Sequence, residues 1–411
     1  MKKLNRILFS LIVPVVAPQC RVNAASDMCS AEREAPDEKT LGAVFALAKR
    51  HDLGHLLASS VRNAKCKMQN AELNAKCEMQ NAELNAECEI RNSELYAELE
   101  KAEMTAVWRV KNIVNEQGRV RKCFEEAEIP FILLKGSVIR DYYPEAWMRT
   151  SSDIDILVPE DRLSDTVKCM KEKLDCSINA VEPYDASLFA RSGVHFDVHA
   201  LAEGDKEDKS LLTRVWLEAE SRGGYERFMA PEHFYFYHVA HMAKHMKNGG
   251  CGIRPFIDLY LIREHLSLDA TKTSDLLSEF GLARFESAAV RLSEYWMCGG
   301  PADGLEAMEE YVLTGGVYGS RDQYVAVNRR GKKGKLHYLM GRIFMPYEEL
   351  KKRHKVLERH RWLTPVFEVW RWLGLIVPSR LKRTKNELES TIRLDDDKAS
   401  GVIALMESLG L

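Results

Sequence analysis

Short apolar runs, each closed within a residue or two by glycine or polar positions, set the first expectations for this chain. Phe131 to Leu134 is unbroken apolar sequence and ends at Lys135-Gly136-Ser137. A run of that length closed by a turn signal reads as a buried strand. Ser137 suits the N-cap of an amphipathic segment from Val138 to Tyr143, and a helix opening there would offer backbone N–H groups and a positive dipole end to an anion. Past Pro144 the chain re-extends. Asp153-Ile154-Asp155-Ile156-Leu157-Val158 reads as a second strand whose two acids, at i and i+2, share a face. Val194 to His199 alternates apolar and polar in the same manner, which puts His195, Asp197 and His199 on one side.

Helical periodicity accounts for most of the remainder. Leu41 to Leu57 and Val107 to Ala127 read as helices, as does Asp161 to Leu174, whose first turn carries acids. Cys176 to Val181 reads as a strand and Tyr184 to Ser192 as a loop or short helix. From Pro231 onward the pattern is helical, interrupted by a glycine-rich turn at Gly249 to Gly252 and a basic stretch from Arg329 to Lys335. Three near-identical 11-residue units run from Asn63 to Leu95, and eleven residues is about three helical turns, so equivalent positions return to one face. A connecting helix lengthened by duplication is the reading preferred over a protruding arm.

The N-terminus admits two readings. Lys2, Lys3 and Arg6 precede an apolar run, Ile7 to Ala17, and Val22-Asn23-Ala24 resembles a small-residue cleavage site, as in a secretory signal. Pro14 and Pro18 interrupt the run, and a packed amphipathic helix is the other reading. The run is too short to span a membrane convincingly. The aromatic-rich stretch Trp362 to Trp372 reads as core by default; contact of Trp370 to Leu375, with Arg380, Lys382 and Arg383 following, with a membrane surface is the alternative, and the run is too short to span.

Composition narrows the function classes. The 411 residues carry a formal net charge of −2, so no global basic field argues for an extended DNA footprint. Ten cysteines without a C-x-x-C pair indicate neither a disulfide framework nor a structural zinc site and fit a reducing compartment. His51 and His55, four apart, have no third ligand nearby in sequence and read as a polar helix edge. His238, His241 and His245 form a stripe on one helix, but i and i+7 lie too far apart to share a small ion easily. That face reads as looking toward a ligand pocket, with a hydrogen-bonded polar seam as the equal alternative.

The two acids opening the strand at Asp153 repel each other and cost desolvation, so folding alone explains them poorly. A divalent cation relieves both penalties. Strand, Gly-Ser, helix and then Asp-x-Asp entering a second strand resembles the signature of the DNA polymerase β-like nucleotidyltransferase superfamily. Within it, LLKGSVIRDYYPEAWMRTSSDIDILV is similar to a bacterial family of uncharacterised nucleotidyltransferases. Fifteen residues separate Ser137 from Asp153, slightly more than the superfamily usually shows.

The resemblance implies an α+β fold: a small mixed-sheet nucleotidyltransferase domain flanked by N-terminal and C-terminal helical regions. The expected boundaries are 1–36 for the N-terminal segment, 37–127 for a helical region holding the repeats, 128–228 for the α/β domain and 229–411 for a helical domain. It also implies transfer of an NMP from an NTP to a hydroxyl, through Asp153, Asp155 and Asp197 as catalytic residues and ligands of Mg²⁺, with Mn²⁺ as substitute. Lys135, Gly136, Ser137 and Arg149 are expected at the triphosphate. Lys244, His245, Arg254 and Asp258 are expected near triphosphate or acceptor. The acceptor, whether protein, RNA end or small molecule, has no signal in the sequence. A non-catalytic nucleotide-binding or toxin–antitoxin-type module on the same fold is the alternative. Location is expected to be cytoplasmic, or exported if residues 1–24 act as a signal.

Overall fold

The computed structural model describes residues 1–19, 36–63, 94–200, 214–299, 301–329, 344–345, 347–354, 356–375, 389, 391 and 393–411. Most of the 11-residue repeats, the Val22-Asn23-Ala24 site, the basic stretch beyond Arg329 and the basic residues from Arg380 to Arg383 lie outside them. The chain divides into two units, one of Met1–His241 with Arg254–Asp303 and one of Met242–Ile253 with Gly304–Leu411.

The first unit is built on a five-stranded mixed sheet. In chain order the strands are β1 (Ile132–Leu133), β2 (Asp153–Val158), β3 (Ser177–Val181), β4 (Asp185–Phe189) and β5 (His195–Ala200), and their spatial order is β1-β2-β5-β4-β3. The pair β2–β5 is parallel, and every other pair is antiparallel. Two-residue periodicity then sorts side chains cleanly. Ile154, Ile156, Val158, Leu188, Phe196 and Val198 turn to one face and are fully buried. They pack against Val120 and Phe124 of α3 (Glu94–Glu126) and Val167 and Met170 of α5 (Leu163–Lys173). Burying each such side chain is worth roughly 1.5–3 kcal/mol, and these faces form the unit's main core. The opposite face carries the polar set from Asp153 to His199.

Several local expectations need correction. Tyr184 to Ser192 contains a strand, β4, not a helix: only Ala186 and Leu188 point inward, too few to show a period by themselves, and pairing with β3 and β5 supplies the rest. The helix expected over 41–57 is broken. α2 (Glu38–Arg50) is capped by Asp37, whose carboxylate accepts from the Thr40 N–H at 2.8 Å, and ends at a turn where Asp52 takes φ 56 before helix resumes at residues 54–63. Ser137 does not cap its helix. α4 (Gly136–Ile139) is one turn long, its N-cap position is Lys135, and Ser137 is buried within it.

α1 (Lys2–Val16) buries Leu8, Phe9 and Ile12, with Phe9 stacked on Trp296 at 5.1 Å between ring centroids. Trp296 belongs to α9 (Ala283–Cys298), which follows α6 (Pro231–Lys247), α7 (Arg254–His265) and α8 (Ala270–Glu279). The second unit takes in the last turn of α6. It continues with α10 (Glu306–Gly315), α11 (Arg321–Asn328), α12 (Tyr347–Arg353), α13 (Val356–Arg359), α14 (Thr364–Leu375) and α15 (Asp396–Ser408). Ser320 and Gln323 form a capping box on α11, and Val325 and Ala326 pack on Leu394 and Ala399. A Cβ at Gly319, φ +75, would lie 1.9 Å from the Gly249 carbonyl oxygen, so this approach admits glycine alone. Among the described residues no helix is long and apolar enough to cross a membrane.

Candidate active site

Register decides which acids meet. Asp155 pairs with Asp197 and Asp153 with His195 across the parallel β2–β5 ladder, so four side chains from two distant segments share the polar face. One ligating atom from each of Asp153, His195 and Asp197 lies within 4.8 Å of the others, which is the spacing a single ion bridges. Two of the three expected carboxylates, Asp153 and Asp197, therefore meet the imidazole of His195, while Asp155 adjoins them through the strand register. His195 Nε2 is 2.7 Å from the Ser187 hydroxyl and 3.4 Å from Asp197 Oδ1, while its ring rests on Phe189. β4 thus orients a β5 side chain that the alternating pattern had placed on this face without assigning it work.

Asp155 has different company. The Lys135 ammonium donates to its Oδ1 at 2.7 Å, and His199 Nε2 lies 3.5 Å from the same oxygen. Burial pushes the Asp155 carboxyl up, but the His199 hydrogen bond and the Lys135 charge outweigh it and hold the group well below the usual carboxylate range. His199 is fixed from behind by Asp185, Nδ1 to Oδ1 at 2.8 Å. Desolvation would lower the His199 pKa, and its bonds to Asp155 and Asp185 raise it instead. Asp153 moves the other way: burial, then repulsion from Asp155, raise its pKa despite Lys135. Two acids in one site with pKa values driven apart mark a candidate functional site.

Lys135 reaches Asp155 because of its backbone. The Leu134 N–H donates to the Asp155 carbonyl at 3.0 Å, which ends β1 beside β2, and Lys135 then takes φ 47, a region costly for a side-chain-bearing residue. Gly136 follows where a Cβ would meet Arg149 Nη1 at 2.8 Å. The glycine is needed for that close approach. The Ser137 N–H donates to Leu134 O at 3.2 Å, so the expected phosphate cradle has this donor engaged and its hydroxyl-bearing residue 7% exposed.

The extra length between Ser137 and Asp153 folds inward. Arg149, expected at the triphosphate, is closed into a two-point pair with Asp258 of α7, Nη2–Oδ2 at 2.8 Å and Nε–Oδ1 at 3.3 Å, and Tyr143 donates to Asp258 Oδ1 at 2.8 Å. Burial raises the Asp258 carboxyl, and the Arg149 charge overrides it and holds the group low. Arg140, 2% exposed, donates to Gln117 Oε1 and Ser151 Oγ. Arg254 Nη1 donates to Asp52 Oδ2 at 2.9 Å and to the Thr150 carbonyl at 3.0 Å. Asp52 and Tyr143 had no signal in the sequence, since their partners lie about a hundred or more residues away. His55 bonds the Met148 carbonyl at 2.8 Å and His238 that of Pro255 at 2.9 Å, both packing roles. Lys244 and His245 lie on the last turn of α6, within the second unit.

Residues 37–298 match the family described as uncharacterised nucleotidyltransferase, which is more than half of the chain. The chain belongs to that family. As a nucleotidyltransferase it is a transferase of phosphorus-containing groups. No curated protein matches the chain. Among solved structures it is similar to the antibiotic-resistance factor ANT(2'')-Ia, with 15% identity, a TM-score of 0.32, and coverage of 45% of this chain and 98% of that one. It is also similar to terminal uridylyl transferase 4 from Trypanosoma brucei with bound GTP, with 16% identity, a TM-score of 0.20, and coverage of 38% of this chain and 50% of that one. The same transferase with bound UTP gives 15% identity, a TM-score of 0.21, and coverage of 42% and 55%. This chain therefore spans about half the length of the uridylyl transferase, and likenesses of this size carry no residue roles across.

Proposed function

We propose that this nucleotidyltransferase moves an NMP from an NTP to a hydroxyl group of an acceptor, which is a protein side chain, an RNA end or a small molecule. The observation that carries the reading is the register of β2 on β5, which sets Asp155 beside Asp197 with Asp153 and His195 adjoining, on the polar face of the sheet. The donor set fits a divalent ion: carboxylate oxygens suit Mg²⁺, and one imidazole extends the fit to Mn²⁺. Asp153, Asp197 and His195 would hold such an ion, with Asp155 adjoining, and when bound it supplies positive charge against the triphosphate.

The chain's own groups do the rest. The acceptor oxygen forms a bond to the α-phosphorus as the bond from that phosphorus to the β-bridging oxygen breaks, and pyrophosphate leaves with the bonding electrons. Asp197, with a side chain 35% exposed against 7% for Asp155, is the acid an acceptor can reach, and its carboxylate takes the hydroxyl proton. Lys135 is the cation nearest the acids and turns its charge to the phosphates. His199, backed by Asp185, keeps Asp155 ionised and oriented. Arg149 and Arg254 frame the site through Asp258 and Asp52, and Gly136 leaves room for that frame. A triphosphate donor fits a cytoplasmic setting.

The test is pyrophosphate release from each NTP with Mg²⁺ or Mn²⁺ and an acceptor pool, comparing wild type with Asp155→Asn. Release in the wild type and a drop of about 10²–10³ in the variant are expected, the scale on which removal of one charge-stabilising group acts. Nucleotide binding with no Asp155-dependent release would instead support a non-catalytic binding module.

A further inference from the structure

The polar face of the sheet carries a hydroxyl of its own beside the acids. Asp155 lies opposite Asp197 in the register of β2 on β5, and Asp197 lies opposite Ser187 in that of β5 on β4, so the three form one row across three strands. Neighbouring strands are about 4.8 Å apart, which sets the Ser187 side chain next to that of Asp197 on the same face. Ser187 is half-buried, and among the described residues it is the one hydroxyl that β2, β4 and β5 turn to this face. Lys135 holds the Asp155 end of the row, and an alcohol stands at the other.

Two neighbours fix that alcohol. His195 Nε2 lies 2.7 Å from Ser187 Oγ. From the other side, the pairing of β3 with β4 slips between Ile178 and Ala180, and the residue this leaves over, Asn179, donates from Nδ2 to the same oxygen at 3.2 Å. A bulge re-aims a side chain and is frequent next to active sites. Asn179 is exposed, so water serves its amide as well as Ser187 does, and folding alone does not ask for the bond. What the bond does is hold the serine oxygen in the row, one strand from Asp197. A serine hydroxyl is a weak nucleophile until an adjacent base takes its proton, and the neighbour here is the half-exposed carboxylate already placed to do so for an acceptor.

We propose that the chain nucleotidylates itself on Ser187. The inference rests on the transferase reading of this site and deepens it by naming one acceptor. Ser187 Oγ forms a bond to the α-phosphorus of the NTP as the bond from that phosphorus to the β-bridging oxygen breaks. Pyrophosphate leaves with the bonding electrons, and the hydroxyl proton passes to Asp197. The product is a phosphodiester between the serine side chain and the nucleoside. Because the hydroxyl belongs to the site that uses it, the reaction is intramolecular and ends at one NMP per chain.

The experiment incubates the full chain with each NTP, labelled at the α-phosphate, and Mg²⁺ or Mn²⁺, with and without an acceptor pool. Intact mass and peptide mapping then locate the label. The expected result without a pool is a chain heavier by one NMP, carried on the peptide that holds Ser187, at a rate that does not change with chain concentration. Ser187→Ala loses the adduct while keeping the wild-type unfolding midpoint, and Asp155→Asn loses it as well. Ser187→Thr, which keeps a hydroxyl at that position, carries the adduct there, and this separates an acceptor from a mere support of His195. Label in the pool with none on the wild-type chain overturns the proposal and leaves the transferase reading standing. An adduct on another residue, an adduct that persists in Ser187→Ala, or a rate that rises with chain concentration also overturns it. No label on chain or pool with any NTP overturns both.

Discussion

Single residues on the polar face divide between those spaced to hold a cation, Asp153, His195 and Asp197, and those packed around Asp155. His195 is the residue that makes the cluster more than carboxylate, so His195→Ala should weaken Mn²⁺ binding more than Mg²⁺ binding, because a nitrogen ligand favours the softer ion. Titration calorimetry with each ion reads this, and equal losses for both would remove the imidazole from the ligand set. Lys135 shows how a residue's task is fixed by its surroundings. Its side chain lies against Asp155 because the chain turns at φ 47. Gly136 makes the same point by lacking a side chain. Gly136→Ala pushes a methyl against the Arg149 guanidinium and should cost about 1–3 kcal/mol in denaturant unfolding, the usual range for overpacking.

Between elements, the decisive contact is the one that ties the long connection from α4 to β2 onto α7. Arg149, Tyr143 and Asp258 form it, and all three are buried. Removing one partner leaves an uncompensated charge in the interior, so Asp258→Asn should destabilise the first unit by about 3–5 kcal/mol. Arg149→Met/Asp258→Leu, which removes both charges, should recover much of that loss. The pH dependence follows from the sign of the shift. The folded Asp258 carboxyl lies below its ordinary value of about 4, so the pair's contribution is complete above that value and is lost as pH falls toward the depressed one. Wild type and Asp258→Asn unfolding curves should therefore converge in acid and stay apart near neutrality. A gap that stays constant through the acid range would mean that Asp258 acts by packing and not by charge. At the sheet, Leu188→Ala in β4 should cost about 2–5 kcal/mol, since this strand has two inward side chains and one of them is lost.

At the scale of the molecule, the candidate site and the exposed Trp362 and Trp370 lie in different units. The first unit holds the sheet, its acids and the buried arginine frame, and the second holds the exposed tryptophans. The two are separable by experiment for that reason: substitutions at Trp362 and Trp370 should leave pyrophosphate release intact, while Asp155→Asn should all but abolish it without lowering the unfolding midpoint. Loss of pyrophosphate release in the tryptophan variants would show that the units depend on each other.

Local pattern alone determined the elements whose periodicity is complete within a few residues. β2, with its isoleucines inward and acids outward, is legible in DIDILV, and β5 in VHFDVHA. So is the family signature, because a glycine, a serine and paired acids at fixed spacing are sequence facts. What the tertiary structure decided was every relation between distant segments: β4 as a strand, His195 beside Asp153 and Asp197, Asp155 held by Lys135 and His199, and Arg149 closed into its pair with Asp258. The reason is physical. A charged side chain shows in sequence only that it needs a partner or water, and which of these it finds depends on register and burial, neither of which any window of sequence contains.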